Sequence, residues 1–208
     1  MQTTLGPLSR SEVHSIVTPH MSALESAFHR AWGRWQGLVS DPRHASATIS
    51  ARSRASLLSD FIALEVTAEF RGKSAARLRK RHGVLLLILD DRVVLRFKKF
   101  RDAALNTSDN RTQATLAFDE QALVSAGDLQ PITHLVAGYR LDGLALELDR
   151  LAITCRVDGA HHWEPIDITP APSRPSAVVP PNSAAPRARV KSARKEAQEG
   201  NSASGESK

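Results

Sequence analysis

Two stretches near the N-terminus carry apolar residues at three- and four-residue steps, and after them the period changes to two. Met21, Leu24, Phe28, Trp32, Trp35 and Leu38 form one continuous stripe when wound at 3.6 residues per turn, which predicts a helix over 19–39. Thr18 before Pro19 reads as its start, because threonine caps free amides and the proline φ suits a first turn. Asp41-Pro42 ends it. A second helix is expected over 51–70, with Ser50 as cap, Ile49 as a hydrophobic staple and Gly72 as a left-handed terminator. Its apolar face is Leu58, Phe61, Ile62, Leu64, Val66 and Phe70, and Arg52, Arg54, Glu65 and Glu69 mark its wet side, although Glu65 lies close to the apolar stripe. The two tryptophans are expected to supply buried area rather than stacking surfaces for bases.

Residues 73–82 have no sustained period and read as a last helical turn or a basic connection. Val84 to Leu89 is continuously apolar, as in a strand covered on both faces, and Val93 to Phe100 alternates after a tight turn at Asp91-Arg92, so 84–100 is a hairpin. Residues 101–130 are polar, with a short helix over Gln113 to Val124. A meander over 133–168 follows, built from THLVAGYRL, LALELDRLAITCRV and AHHWEPIDI, with the pairs Asp142-Gly143 and Asp158-Gly159 as turns. Leu144, Leu146 and Leu148 keep one phase while Leu151, Ile153, Cys155 and Val157 keep the other, so a bulge belongs near Asp149-Arg150. The fold class that results is α+β: two amphipathic helices packed on a mostly antiparallel sheet of about five strands, in a single domain over 1–169. From 170 to 208 the chain has six prolines among Ser, Ala, Gly and basic residues and no aromatic, a composition that predicts a disordered tail.

Charge sharpens this picture. The net charge is +6, but residues 71–101 hold eleven Lys or Arg against two Asp, and residues 102–169 hold four against eleven acids. A basic block of this density suits an anionic partner, nucleic acid or an acidic protein surface, unless the acidic segment cancels its field. No stretch is long and apolar enough for a membrane span, no basic-then-apolar leader opens the chain, and a lone Cys155 forms no intramolecular disulfide. The expectation is a cytoplasmic protein that does not enter a membrane.

The candidate chemistry centres on LDDRVVLRFKKF, residues 89–100. On a strand Arg96 and Lys98 share a face and stand side by side, able to grip adjacent phosphates, with Arg92, Lys99 and Arg101 extending the patch and Arg79, Lys80 and Arg81 adding to it. The alternative use of such residues is a sheet margin kept unpaired by charge. In order, a helix with Glu65, a strand ending in Asp90 and a strand with Lys98 resemble the metal-dependent nucleases of the restriction-endonuclease-like fold. The position two before the lysine, an acid in those enzymes, is Arg96 here, whose charge repels a metal, and Asp90 and Asp91 serve equally as turn residues. His134, Cys155, His161 and His162 lack zinc-ligand spacing, and Cys155 lacks the signature of a nucleophile. No catalytic residue, metal or cofactor is therefore assigned.

The strings LRFKKF and THLVAGYRLD resemble an uncharacterised group of bacterial proteins over about residues 50–168. The resemblance implies companionship with regulatory metallopeptidases, hence a protein partner, and carries no functional residue. The expected function is thus a non-catalytic binding or regulatory module for nucleic acid, the alternatives being an adaptor for such a protein partner and an active or inactive nuclease. Because 170–208 offers no core contacts, truncation after residue 169 should leave the thermal midpoint within about 2 °C of the full chain, checked by calorimetry.

Overall fold

The computed structural model describes residues 6–44, 49–81, 83–108, 118 and 132–168. The chain divides into two units, Met1–Ser173 and Arg174–Lys208, and every described residue belongs to the first. The expected short helix over 113–124 lies outside the described residues apart from Phe118, which is helical and buried, and the expected tail lies outside them altogether.

Helix α1 (Arg10–Val17) precedes the two expected helices. Its signal is SRSE: the Ser9 hydroxyl accepts from the Glu12 amide while the Glu12 carboxylate accepts from the Ser9 amide, a capping box that satisfies two free donors. Thr18 is consequently not a helix start. It opens a 3-10 turn, Thr18–His20, and its hydroxyl donates to the His14 carbonyl (2.6 Å) at the end of α1. Helix α2 (Met21–Ser40) then buries Leu24, Phe28, Trp32 and Trp35, so the tryptophans are core residues. Helix α3 (Ala51–Phe70) starts with Ser50 accepting from the Ser53 amide (3.1 Å) and is followed by Gly72 at φ +80°.

Seven strands form the sheet among the described residues, in the order β1 (Ala76–Arg81), β2 (Val84–Leu89), β3 (Val93–Lys99), β4 (Thr133–Leu141), β5 (Leu148–Val157) and β6 (Ala160–His161), with β7 (Ile166–Asp167) also on β5. Every pairing is antiparallel except β3 with β4, which is parallel. The basic segment 73–82 is thus neither a helical turn nor a mere connection; six of its residues pair with β2 from Ala76↔Leu89 to Arg81↔Val84. Its period-two pattern was hidden because Leu78 is the one large apolar residue in it.

The helices cover one face, burying Leu87, Leu89, Val93, Leu95, Leu135, Ala137, Leu151 and Ile153. Leu86, Ile88, Val94, Val136 and Ala152 point to the other face, where they meet Phe100, Leu105 and Phe118. This two-sided burial is what the unbroken VLLLIL run encodes. Asp90 (φ +50°) and Asp91 (φ +54°) make the β2–β3 turn, one residue earlier than expected. Asp158 and Gly159 make a two-residue turn between β5 and β6. Asp142-Gly143 instead opens a loop, 142–147, in which Leu144 and Leu146 are exposed rather than in a strand. The bulge falls at Asp149: Arg140 pairs Arg150 but Leu141 pairs Leu148, leaving one residue over.

Two sites hold these layers together. Glu65, expected on the wet side of α3, is buried, accepting from Arg30 Nε (2.7 Å) and from Arg34 Nε on α2, while Arg30 also pairs with Glu69. Charge-assisted bonds from α2 hold the Glu65 carboxyl below its ordinary value against the opposing effect of burial. At Gly138 a side chain would lie 2.5 Å from the Phe100 ring and 2.7 Å from the Lys98 carbonyl.

Gly138→Ala is expected to cost about 1–3 kcal/mol, because the Lys98 carbonyl is backbone and cannot step aside; urea denaturation measures it. Glu65→Gln should cost about 1–2 kcal/mol at neutral pH, at the low end for a charged bond because Arg30 and Arg34 are about half exposed. A carboxyl with a depressed folded pKa stabilises above its unfolded value and loses that contribution as pH falls through the folded one. The gap between wild type and Glu65→Gln should therefore be full at neutral pH and close as pH falls below the ordinary glutamate range.

Candidate functional site

Three consecutive antiparallel strands make the first and third run the same way, so β1 and β3 finish at one end of the sheet. Arg79, Lys80 and Arg81 close β1 there, Arg96, Lys98 and Lys99 lie toward the end of β3, and Arg101 follows. Seven of the eight cations singled out in the sequence are thereby gathered. Arg92 is not: it lies at the opposite end of β3, where its guanidinium pairs with Glu12 of α1 (3.3 Å).

Strand alternation sorts the seven between the faces. Arg79 pairs Leu86, which pairs Arg96, so these two cations share the face opposite the helices. Arg96 lies with its guanidinium carbon 5.7 Å from the Phe118 ring, and that ring stacks on His134 at 4.5 Å. Lys98, two residues on from Arg96, keeps that side, while Lys80 and Lys99 take the alternate phase with Leu78 and Phe97. The expected pairing of Arg96 with Lys98 on one strand face holds, but Lys99 is divided from them by the sheet.

A cleft of about 920 Å³ opens at this end, between α3 and the sheet. Lys80 and Lys99 line it from the helix-covered side of the sheet, Arg96, Lys98 and Arg101 border it at the sheet's end, and Ser59, Asp60, Ala63 and Thr67 line it from α3, with Phe97 and Tyr139 among its apolar and aromatic groups. A second cleft of about 560 Å³ shares Lys99 and Arg101 and is bounded by the 142–147 loop. Burial lowers the pKa of Lys99, and the nearby positive charge of Arg54 lowers it further. Tyr139, the β4 partner of Lys99, is pushed up to about 12 by burial, with Arg54 opposing. Arg54, expected on the wet side of α3, is half-buried and donates to the Ala145 carbonyl (3.3 Å). Sequence reasoning passed over it; its only signal is a position one turn before Leu58 on the buried stripe.

The groups that resemble a nuclease centre do not meet. Glu65 is consumed by Arg30 and Arg34, and Asp90 stands in the turn before β3 while Lys98 is near its far end, about 20 Å away at strand rise. The histidines and cysteine are scattered too. Cys155 belongs to the helix-covered core, His134 has its Nδ1 at 3.1 Å from the Phe118 carbonyl on the other face, and His161 Nε2 lies 2.7 Å from the Ala104 carbonyl. Burial raises the Cys155 thiol to about 12, far from a reactive thiolate. Among the described residues no group of three or more His, Cys, Asp or Glu could hold a metal ion, and no helix is long and apolar enough to cross a membrane.

The fold and this end define an α+β protein with a cation-lined cleft between a helix and the finishing ends of two strands. Comparison of the chain with protein-family models, with curated proteins and with solved structures finds no match.

Lys99 is a cation half-buried beside another cation, so its charged form destabilises the fold at any pH below its folded pKa, and the penalty fades as pH rises. Lys99→Met should raise the thermal midpoint by about 2–4 °C near neutral pH, and the gain should shrink in alkaline buffer.

Proposed function

We propose that this protein is a non-catalytic binding or regulatory module for nucleic acid, with its phosphate contacts at the end of the sheet where β1 and β3 finish. The observation that carries the reading is the gathering of five cations at the end of the sheet that borders one open cleft, Lys80 and Lys99 on the helix side and Arg96 and Lys98 on the other, with Asp60 the one carboxylate among the described lining residues. Cations at strand spacing serve a phosphate backbone, whose charges recur along a line, and they give affinity without reading base identity. The outer edge of β1, with Arg77, Arg79 and Arg81 on one face and Lys80 on the other, continues the basic surface beyond the cleft. Arg77 is partly neutralised by Asp91, so the gradient rises toward Arg81.

A second reading, an adaptor for a protein partner, draws on the 142–147 loop. The Asp142 carboxylate accepts from the amides of Leu144 (3.3 Å), Leu146 (2.6 Å) and Glu147 (2.9 Å), which fixes the loop while Leu144 and Leu146 are 78% and 61% exposed. Two leucines presented by a braced loop suit an apolar pocket on another protein, such as the metallopeptidase partner implied by the sequence resemblance.

Filter binding of short duplex and single-stranded DNA and RNA across a salt series, with and without magnesium, separates these readings. Lys80→Gln with Arg81→Gln should weaken binding similarly for every sequence and lower the magnitude of the salt slope by about two. Absence of salt-sensitive binding by the wild type at low salt would end the nucleic-acid reading. Magnesium-dependent cleavage would favour a nuclease, and loss of a partner with Leu144→Asp and Leu146→Asp alone would favour the adaptor.

A further inference from the structure

Strand β1 ends the sheet, with β2 its one strand neighbour among the described residues. One bond fixes which of its backbone groups face outward. The Asp90 amide donates to the Ala75 carbonyl (3.1 Å) while Ala76 stands opposite Leu89, so Ala76 and Leu89 form a non-hydrogen-bonded pair. Arg77, Arg79 and Arg81 therefore exchange bonds with Ile88, Leu86 and Val84, whereas the backbone of Ala76, Leu78 and Lys80 is turned to the outer edge. There the Lys73 carbonyl accepts from the Ala76 amide (3.1 Å). The amides of Leu78 and Lys80 and the carbonyls of Ala76, Leu78 and Lys80 face away from β2, as the donors and acceptors of one further strand.

The side chains on this edge restrict what that strand can be. Arg77, Arg79 and Arg81 are exposed and recur at every second residue on the face away from the helices. A second copy of β1 added in hydrogen-bonding phase would set these arginines against one another, and like charges directly opposite destabilise a pair. A strand with acids at alternate positions would instead place each carboxylate across from a guanidinium. On the helix side Leu78 packs against the core, and Leu64 of α3, 51% exposed, shares the lining of the large cleft with Lys80. The intervening positions of an added strand would meet that apolar flank. The edge thus calls for an alternation of acidic and apolar residues, in a chain with backbone amides of its own.

We infer that β1 takes up an extended segment of a partner protein as an additional strand, one in which acidic and apolar residues alternate. This goes beyond the phosphate-binding reading, which uses the same charges but not the backbone, and does not rest on it.

The test follows the binding of short fluorescent peptides to the full chain by anisotropy. A peptide of alternating Glu and Val should bind about tenfold more tightly than one with the same residues in two blocks, because only the first sets its acids across from all three arginines. Methylation of alternate amides separates strand pairing from charge. Methylated valine amides should abolish binding to an antiparallel edge, methylated glutamate amides to a parallel one, and the other set should have little effect. In the protein, Lys80→Pro removes an outward donor and none that β2 uses, so it should lower affinity about tenfold with little change in thermal midpoint. Arg79→Glu gives a readout without proline: it should weaken the alternating peptide and favour one with Lys in place of the central Glu. Short duplex DNA is run in parallel. Peptide binding without DNA binding would end the nucleic-acid reading and leave the edge assigned. The inference is overturned if DNA binds and no peptide does at low salt, if alternating and block peptides bind equally, or if the two methylated sets behave alike.

Discussion

The parallel pairing of β3 with β4 is the constraint on which the rest of the structure depends. Parallel neighbours cannot be joined by a hairpin, so the chain that leaves Lys99 must return the length of the sheet before Thr133 begins β4. Two consequences follow from that one choice. The end of β4 points the same way as those of β1 and β3, which places Tyr139 beside the cations that the antiparallel run β1–β2–β3 gathers at one end of the sheet. The central strands are also sealed on both sides, by the helices on one face and by Phe100, Leu105 and Phe118 on the other. Gly138 serves the same junction, because Phe100 closes over β4 only where no side chain stands.

Helix α3 carries two opposite solutions to the problem of a charge near the core. Glu65 enters a buried position with two guanidinium partners from α2, and the helices are joined by that match. Arg54, three turns earlier, is half-buried with the Ala145 carbonyl as its hydrogen-bond partner, and its positive charge acts on Lys99 in the same sense as burial. The first arrangement is structural and complete in itself. The second leaves the charge of Lys99 opposed both by burial and by a neighbouring cation.

Much of the fold was legible where apolar spacing was dense. The stripe from Leu24 to Trp35, the Ser50 cap, the Gly72 terminator, the VLLLIL strand and the slipped phase at Asp149 each follow from local chemistry. What escaped lacked that spacing. Strand β1 is too basic to show its period, and α1 is announced by four residues of a capping box rather than by a stripe. The site was legible in part: Arg96, Lys98 and Lys99 were visible as a cluster, but which face each takes required strand register, and the removal of Arg92 required knowing where Glu12 lies. Glu65, close to the apolar stripe, and Arg54 were both placed on the wet side because their partners, Arg30 and Arg34 for the one and the Ala145 carbonyl for the other, are remote in sequence.

The extra residue at Asp149 makes β5 a segment in which number matters more than identity. Leu148 and Leu151 are an odd count apart, yet both pack against the helix-covered core, because the bulge absorbs the difference. Downstream of it, Ile153 and Cys155 inherit the corrected phase. A chain shortened by that single residue would set Leu148 and Leu151 two positions apart, close the bulge and still present Ile153 and Cys155 to the helices. Deletion at this site only straightens the strand; deletion of a paired residue beyond it rewrites the address of every residue that follows.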